Sequence, residues 1–438
     1  MLRHGSGATS FQTLQSGYCY FFHSDSACVA YVDTGSAWVA AGAPIAAAAE
    51  LPAVVDAFLA AARGAGRRVC FFGTEAALVG ASGAPLGTLA IGEQPVWDPR
   101  AWASRLARHR SLREQLRRAR AKGVRIREVP ASELESAALR AQITRVTERW
   151  LGARSMAPMG FLVKVEPFGF AAQRHTFVAE QHGRLLGFAG VIPVPARAGW
   201  FLEDLVRDPE APNGTGELLV HAVMQWAGAA NCSWLTLGLS PLSGPVPPFL
   251  SRVRQSSRWL YDFVGLRAYK AKFTPDSWQA VYLCFPRSQY LWLTVLDTLR
   301  AFATGGLIRF GLRTLLRGPA LVLRALTTLL IPWTVLLMLA QSQRWFGSEW
   351  AKWAWVLFDV LLAGSLIGLR SRPALKWLTV LAVAVTTDAV VTLIEALLWN
   401  AKHTHGALDY LVLTVACAGP TLAALVLWSA RSHRLRSL

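Results

Sequence analysis

A mixed α/β region of about 300 residues followed by an all-α transmembrane bundle of about four helices is the fold class the sequence predicts, and two observations lead to it. Of 438 residues 53% are hydrophobic, more than a water-soluble enzyme of this length carries, so part of the chain belongs in lipid. The apolar residues are also unevenly placed. No run before residue 318 is long enough to cross a bilayer, and four runs of suitable length follow at 318–341, 352–369, 375–398 and 407–430.

The earlier region mixes two periodicities. Tyr18–Phe22, Val69–Phe72, Val124–Val129, His175–Glu180 and Trp200–Leu205 read as strands, and 51–64, 101–122, 131–150 and 214–228 as amphipathic helices. Two similar α/β segments meeting near 125–130 account for its length, which divides the chain into subdomains 1–125 and 126–300, a basic linker 301–317 and a membrane domain 318–438. Arg309, Arg313 and Arg317 place a basic collar at the headgroups. Cations are denser at Arg370, Arg372, Lys376 and at Arg431, Arg434, Arg436 than near Arg344 and Lys402. The positive-inside rule therefore puts the α/β region and the C-terminus on the cytoplasmic side of the inner membrane. Asp359, Asp388 and Glu395 fall within the spans, as interhelical hydrogen-bonding groups or as marks of a polar path.

A net charge of +18 calls for an anionic partner, phospholipid or nucleic acid. The six cysteines stand singly and read as reduced thiols; no ligand spacing points to a metal, and no cofactor is expected. The opening MLRHGSGATSFQTLQSG has no apolar run of a secretory signal, so the first domain is expected in the cytoplasm. Walker and GxGxxG loops are missing, Ser240 and Ser243 lack a nucleophile elbow, and His175 and His221 read as structural.

Chemistry concentrates between Gln173 and Gly244. Two strands joined by a QHGR turn lead to a third ending in FLEDLVRDP, then the turn APNGTG, the helix ELLVHAVMQWA with an apolar face of Leu218, Leu219, Ala222, Val223 and Trp226, and a strand WLTLGLS. A glycine turn before a helix offers unpaired first-turn amides to an anion. Asn213 or Thr215 would cap that helix and Glu217 would sit in its first turn, which is also an ordinary capping arrangement.

This order resembles the second half of the acetyltransferase fold. The wording of EDLVRDPEAPNGTGELLVHAVMQWA, LTLGLSPLSG, YDFVGLRAYKAKFTPDSW and the upstream RLARHRSLREQLRRARAKGVRIREV resembles the C-terminal catalytic domain of bacterial phosphatidylglycerol lysyltransferases over roughly residues 10–290. The resemblance implies tandem acetyltransferase-like domains and transfer of an amino acid from aminoacyl-tRNA to a lipid hydroxyl. In well-known members the membrane region precedes this domain, whereas here the apolar runs follow it.

Such a transfer requires positioning of hydroxyl and ester and stabilisation of developing negative charge. Asp204 would hold the donor amino group or help deprotonate the lipid hydroxyl, and Arg207 would bind the lipid phosphate or the terminal nucleotide, unless the two form a surface ion pair. Glu217 completes the expected catalytic set, and Glu203, Asn213, Gly214, Thr215, Ser240, Arg267, Lys270 and Lys272 the substrate-binding set. Arg267, Lys270 and Lys272, set beside Tyr269 and Phe273, suit a phosphate-bearing ligand or a snorkelling basic face. Arg113, Arg117, Arg118, Arg120 and Lys122 surround a narrow seam of Leu112, Leu116 and Ala119, a surface for tRNA or for anionic lipid. An acyl-coenzyme A transferase of the same fold and a non-catalytic lipid-binding protein are the alternatives. The first is disfavoured because APNGTG lacks a glycine-rich pyrophosphate loop.

Overall fold

Strand-forming runs before residue 290 pair into one mixed sheet of twelve strands in a computed structural model that describes residues 1–79, 86–154, 156–257, 261–317, 319–339, 345–346, 348–367, 375–400 and 406–436. By their contacts these residues divide into two units, Met1–Ala153 with Pro158–Phe310, and Arg154–Ala157 with Gly311–Leu438.

In the first unit β1 (Cys19–Ser24), β2 (Ala27–Asp33) and β3 (Ala37–Ala41) form an antiparallel meander, and helix α1 (Leu51–Gly64) carries the chain to β4 (Arg68–Thr74), which lies parallel to β3. Parallel neighbours require such a crossover. The short α2 (Ala76–Val79), the long β5 (Leu86–Trp97), α3 (Trp102–Arg108) and α4 (Arg110–Ala121) follow. The plan then repeats. Strands β6 (Arg125–Val129), β7 (His175–Gln181), β8 (Arg184–Val194) and β9 (Gly199–Arg207) form a second meander, with α5 (Ala137–Gly152) inserted after β6, and α6 (Thr215–Ala229) leads to β10 (Leu235–Thr236), parallel to β9. After β11 (Ser240–Pro241), α7 (Pro248–Ser256) and α8 (Phe263–Ala271), strand β12 (Ser277–Pro286) inserts antiparallel between β4 and β5. The sheet order β1-β2-β3-β4-β12-β5-β10-β9-β8-β7-β6 therefore crosses both repeats without a break.

Helices cover both sheet faces. Phe58, Val54 and Val55 of α1 pack on Val69 and Phe71, and Leu250 of α7 with Val295 of α9 (Leu291–Phe302) covers the opposite side of that half around Val39, Ile91 and Leu283. In the second half Leu112, Leu116, Leu218, Leu219 and Val223 of α4 and α6 meet Leu202 and Leu235, while Ile143 and Val146 of α5 meet Val178, Phe188 and Val206 on the other face. Burying these side chains at about 25 cal/mol per Å² is the principal stabilising term.

Three expectations need correction. The helix expected over 101–122 breaks at His109, whose Nδ1 accepts from the Leu112 amide at 3.3 Å and so starts α4 afresh. The helix expected over 131–150 begins only at Ala137, after a 3₁₀ turn at Glu133–Glu135. The run WLTLGLS is no continuous strand: Gly238 at φ +70° interrupts it, and the carbonyls of Leu237, Gly238 and Leu239 turn to Lys270 instead of to a ladder.

The second unit holds α11 (Pro319–Met338), α12 (Glu349–Ile367), α13 (Leu375–Glu395, ending in a π turn Ala396–Asn400) and α14 (Ala407–Arg436), reached through α10 (Leu307–Arg317). Helices thus occupy all four expected runs, but four crossings do not follow. Among the described residues two helices, Lys376–Asn400 and Asp409–Ser429, are long and apolar enough to span, or three if α9 and Leu307–Thr314 count as one bent span. The other two runs are helical over 20 residues in α11 and 19 in α12, the latter with Lys352 and Asp359 within it. Leu378, Leu381, Ala382 and Val385 of α13 pack on Ala423, Ala424, Val426 and Leu427 of α14. Trp355 donates to Glu395 at 3.1 Å and Thr392 to Asp388 at 3.3 Å, so two of the three acids are hydrogen-bonded; Asp359 is buried with one oxygen unpaired among the described residues. The loop cations Arg344, Arg370, Arg372 and Lys402 lie outside the described residues.

His221 of α6 is buried and accepts from Trp102 Nε1 at 3.0 Å; burial, and next the charge of Arg120, pull its imidazolium down to about 4. The unfolded chain binds that proton more readily, so folding loses stability as pH falls from about 6.5 to about 4. His221→Gln keeps an acceptor without a titration. In denaturant unfolding the parent should lose up to about 3 kcal/mol more than this variant between pH 7 and 4.

Candidate functional site

Strand β9 carries one residue more than its partner. Leu202 opposes Val191 and Asp204 opposes Gly190, so Glu203 has no partner across the ladder. Adjacent strand residues ordinarily face opposite ways, but a bulge re-aims one of them. Leu202 enters the core beneath α6, and both Glu203 and Asp204 turn to Arg174. The guanidinium bonds Asp204 Oδ2 through Nη1 at 2.7 Å, Glu203 Oε2 through Nη2, and the Gly169 carbonyl through Nε at 3.1 Å. Gln15 donates to the other Glu203 oxygen at 3.0 Å.

All three charged side chains are at most 4% exposed. Two carboxylates against one guanidinium leave a buried centre with excess negative charge. Burial holds the Asp204 carboxyl above the usual carboxylate range, Arg174 pulls it down, and the charge of Glu203 raises it again. Gly190 makes room for this centre: a Cβ there would lie 2.3 Å from Arg174 Nη1.

Arg207 does not join Asp204. Three residues further along the strand it falls on the α6 side, where its charge acts on the buried Tyr269 phenol. Nearby, Glu217 is buried and accepts from Gln115 at 2.9 Å and from Lys272 at 3.5 Å, and the Lys272 ammonium stands 5.5 Å from the Tyr269 ring centroid. The expected side-chain cap of α6 is not made. Gly214, at φ +97°, precedes the helix, Thr215 Oγ1 donates to the Pro212 carbonyl at 2.7 Å, and Asn213 is exposed. Gly214 lies against α4, where a Cβ would meet Ala119 at 2.9 Å.

Lys270 is buried and donates to the carbonyls of Leu237, Gly238 and Leu239 at 2.8, 2.8 and 2.9 Å, which hold its three protons while burial pulls the ammonium down to about 7. Arg267 bonds Glu93 at 2.6 Å and lies 4.5 Å over the Trp278 ring. Ser240, paired with Glu93 across β11 and β5, buries an Oγ without a hydrogen-bond partner among the described residues.

On α4 the seam Leu112, Leu116 and Ala119 is buried and the cations face outward. Glu114 clasps Arg117 and Arg118 at 2.7 and 3.1 Å, whereas no carboxylate pairs with Arg113, Arg120 or Lys122 among the described residues. Arg105 is turned inward to the Thr274 carbonyl and Asp276. A hollow of about 470 Å³ beside α4 is lined by Arg120, Arg125, His221 and Gln225. Among the described residues no group of three His, Cys, Asp or Glu side chains is placed to hold a metal ion.

Arg174, Gln15, Gly190 and Glu93 escaped the sequence reading. The one signal for this centre was Gly190, a glycine inside an otherwise bulky strand, which marks a close approach.

Removing the guanidinium strands two buried carboxylates. Arg174→Met should cost about 3–5 kcal/mol in denaturant unfolding, and adding Glu203→Gln should recover part of it, a non-additivity that an ordinary surface ion pair would not give. Gly190→Ala should destabilise by about 1–3 kcal/mol, since Arg174 cannot retreat.

A family profile described as phosphatidylglycerol lysyltransferase, C-terminal, matches residues 1–285. The chain is 26% identical over 165 residues to a phosphatidylglycerol lysyltransferase of Bacillus subtilis, covering 35% of this chain and 19% of that one. It is 29% identical over 226 residues to the lysylphosphatidylglycerol biosynthesis bifunctional protein LysX of Nocardia farcinica, covering 48% and 19%. It therefore spans about a fifth of the length of these curated relatives. Two solved structures share the fold: the C-terminal domain of a protein assigned as a lysylphosphatidylglycerol synthetase from Agrobacterium fabrum (TM-score 0.60, 24% identity, 69% of this chain and 95% of that one) and L-PGS from Bacillus licheniformis (0.58, 22%, 68% and 93%). With the match running through both sheet repeats and the Glu203–Asp204 bulge, the chain belongs to the phosphatidylglycerol lysyltransferase C-terminal family.

Proposed function

We propose that this protein is a membrane-bound aminoacyltransferase that moves an amino acid, lysine first among the candidates, from aminoacyl-tRNA to the glycerol hydroxyl of phosphatidylglycerol. Family membership supports the reaction class, and the observation that carries the chemistry is the buried pair of carboxyls, Glu203 and Asp204, on the single guanidinium of Arg174. An aminoacyl ester brings a free ammonium, which such a centre attracts strongly at low dielectric.

In the proposed step the lipid hydroxyl oxygen attacks the ester carbonyl and its proton passes to Asp204. The bond from that carbonyl to the ribose oxygen then breaks, and the same proton leaves with the ribose hydroxyl. No covalent intermediate is required, because the ester is already activated. Arg207 and Lys272 on the other face carry positive charge for phosphate, and Glu217 positions Lys272. Lys270 acts by holding the broken strand at Leu237–Leu239 open, so we read it as a positioning residue. Arg113, Arg120 and Lys122 provide cations for the tRNA backbone. Asn213, Gly214, Thr215, Ser240 and Arg267 remain substrate-binding candidates without an assigned contact.

We also read the two sheet repeats as tandem acetyltransferase-like subdomains dividing near residue 125, the helices after residue 318 as a four-span bundle, and the α/β region and C-terminus as cytoplasmic at the inner membrane. The physical sense of the fusion is colocalisation of a soluble donor with a membrane acceptor. An acyl-coenzyme A donor is the second reading; the turn APNGTG, lacking a glycine-rich pyrophosphate loop, disfavours it.

Purified full-length protein, given labelled lysyl-tRNA and phosphatidylglycerol vesicles, should release label into the lipid phase. Asp204→Asn should lower kcat by about 10²-fold or more. Joint Arg113→Gln and Arg120→Gln should instead raise KM for the tRNA, with a flatter salt dependence and little change in kcat. Lipid labelling from acyl-coenzyme A but not from any aminoacyl-tRNA would reverse the two readings.

A further inference from the structure

Helix α9 is apolar on two faces, and one of them is exposed among the described residues. Its inner face is fixed to the sheet. Leu291, Val295 and Phe302 pack against the core of Val39, Ile91 and Leu283, and Asp297, 1% exposed on its side chain, accepts from Arg68 Nε at 2.7 Å, Arg68 Nη2 at 2.8 Å and Ser36 Oγ at 2.7 Å. A bidentate ion pair on a buried carboxylate ties α9 to the sheet, although with Leu307–Thr314 it has the length and hydropathy of a span.

Its outer face carries Trp292, Leu296 and Leu299 at positions i, i+4 and i+7, with Tyr290 at the start. Trp292 is 65% exposed, Leu299 52% and Tyr290 71%. An exposed apolar stripe of this size with Trp and Tyr at one end has the composition of an interfacial helix. Gly305 and Gly306, at φ +80° and +95°, end α9 and release the chain into α10. At the start of α10 the exposed Ile308 stands beside Arg309. The chain passes from there directly into the apolar helices.

We propose that the outer face of α9, with the first turn of α10, lies in the headgroup layer of an anionic phospholipid membrane, with Trp292, Leu296 and Leu299 inserted shallowly and Arg309 on a lipid phosphate. The apolar stripe supplies depth and Arg309 favours an anionic surface. This assignment rests on the membrane reading above and adds to it a lipid-contacting surface on the enzymatic unit itself, where an acceptor lipid leaves the bilayer.

The test uses the full chain with the exposed Cys19 changed to Ser, reconstituted in phosphatidylglycerol and phosphatidylcholine vesicles. An environment-sensitive fluorophore is attached at Leu299→Cys, at Glu148→Cys on the exposed side of α5, or at Val415→Cys within α14, with the labelled parent as blank. Nitroxide lipids at headgroup depth should quench the probe at 299 at least about twofold more than nitroxides at the bilayer centre, the order should invert at 415, and neither should reach 148. Trp292→Cys should repeat the result for 299. If 415 is quenched while 299 answers only to aqueous iodide, or to no quencher because protein covers it, the surface is not lipid-facing and the proposal fails alone. Quenching at 299 as deep as at 415 would make α9 a span and overturn it equally. Absence of lipid quenching at 415 would remove the membrane reading and the proposal together.

Discussion

One guanidinium held between two carboxylates governs the second half of the sheet. Arg174 can meet both Glu203 and Asp204 only because β9 carries an extra residue, and it can pass β8 only because position 190 has no side chain. Remove either condition and one carboxylate turns toward the apolar layer under α6 or the guanidinium loses its path. A centre like this is a poor source of stability, since two charges taken from water cost nearly what their pairing returns. What it offers is a fixed, water-poor patch of negative charge. On the proposed reading, a positively charged aminoacyl group would find there the partner that solvent otherwise supplies.

Much of the architecture was legible from residue patterns. The helix over 51–64 was expected with its observed ends, and the strands expected at His175–Glu180 and Trp200–Leu205 lie within β7 and β9, because amphipathic period and β-branched or aromatic composition agree there. The misses have physical causes. WLTLGLS carries a strand's composition, but a buried ammonium at Lys270 claims three successive carbonyls, a tertiary effect invisible in a local window. The basic stretch 101–122 has helical period throughout, yet a histidine cap restarts it at His109. At the site, Asp204 was visible from its motif while its partner was not: Arg174 lies thirty residues upstream, and only the fold brings the two together. Asp204 and Arg207, three residues apart on β9, lie on opposite faces of the sheet, as the two-residue pleat of a strand requires.

The membrane half shows the same limit. Length and hydropathy locate apolar helices well but cannot say which of them cross, because Lys352, Asp359 and Glu395 acquire partners or burial from neighbouring helices that a window average does not contain. Conversely α9, which together with Leu307–Thr314 has a span's length and hydropathy, is held to the sheet by Asp297. Burial of a charge, more than average hydropathy, decides where each helix belongs. On the proposed reading, one unit would carry both a soluble-donor site and a lipid-facing surface, followed by helices that keep it at its acceptor.

The measurement that bears most directly on this account is thin-layer chromatography, with ninhydrin staining and mass analysis, of lipids from cells producing the full chain, the Asp204→Asn variant or neither. The account predicts one new amino-bearing lipid, heavier than phosphatidylglycerol by an aminoacyl group, in the first sample alone. An equal amount of that lipid from the Asp204→Asn cells would remove Asp204 from the chemistry, and its absence from all three, with the protein folded in the membrane fraction, would contradict lipid aminoacylation itself.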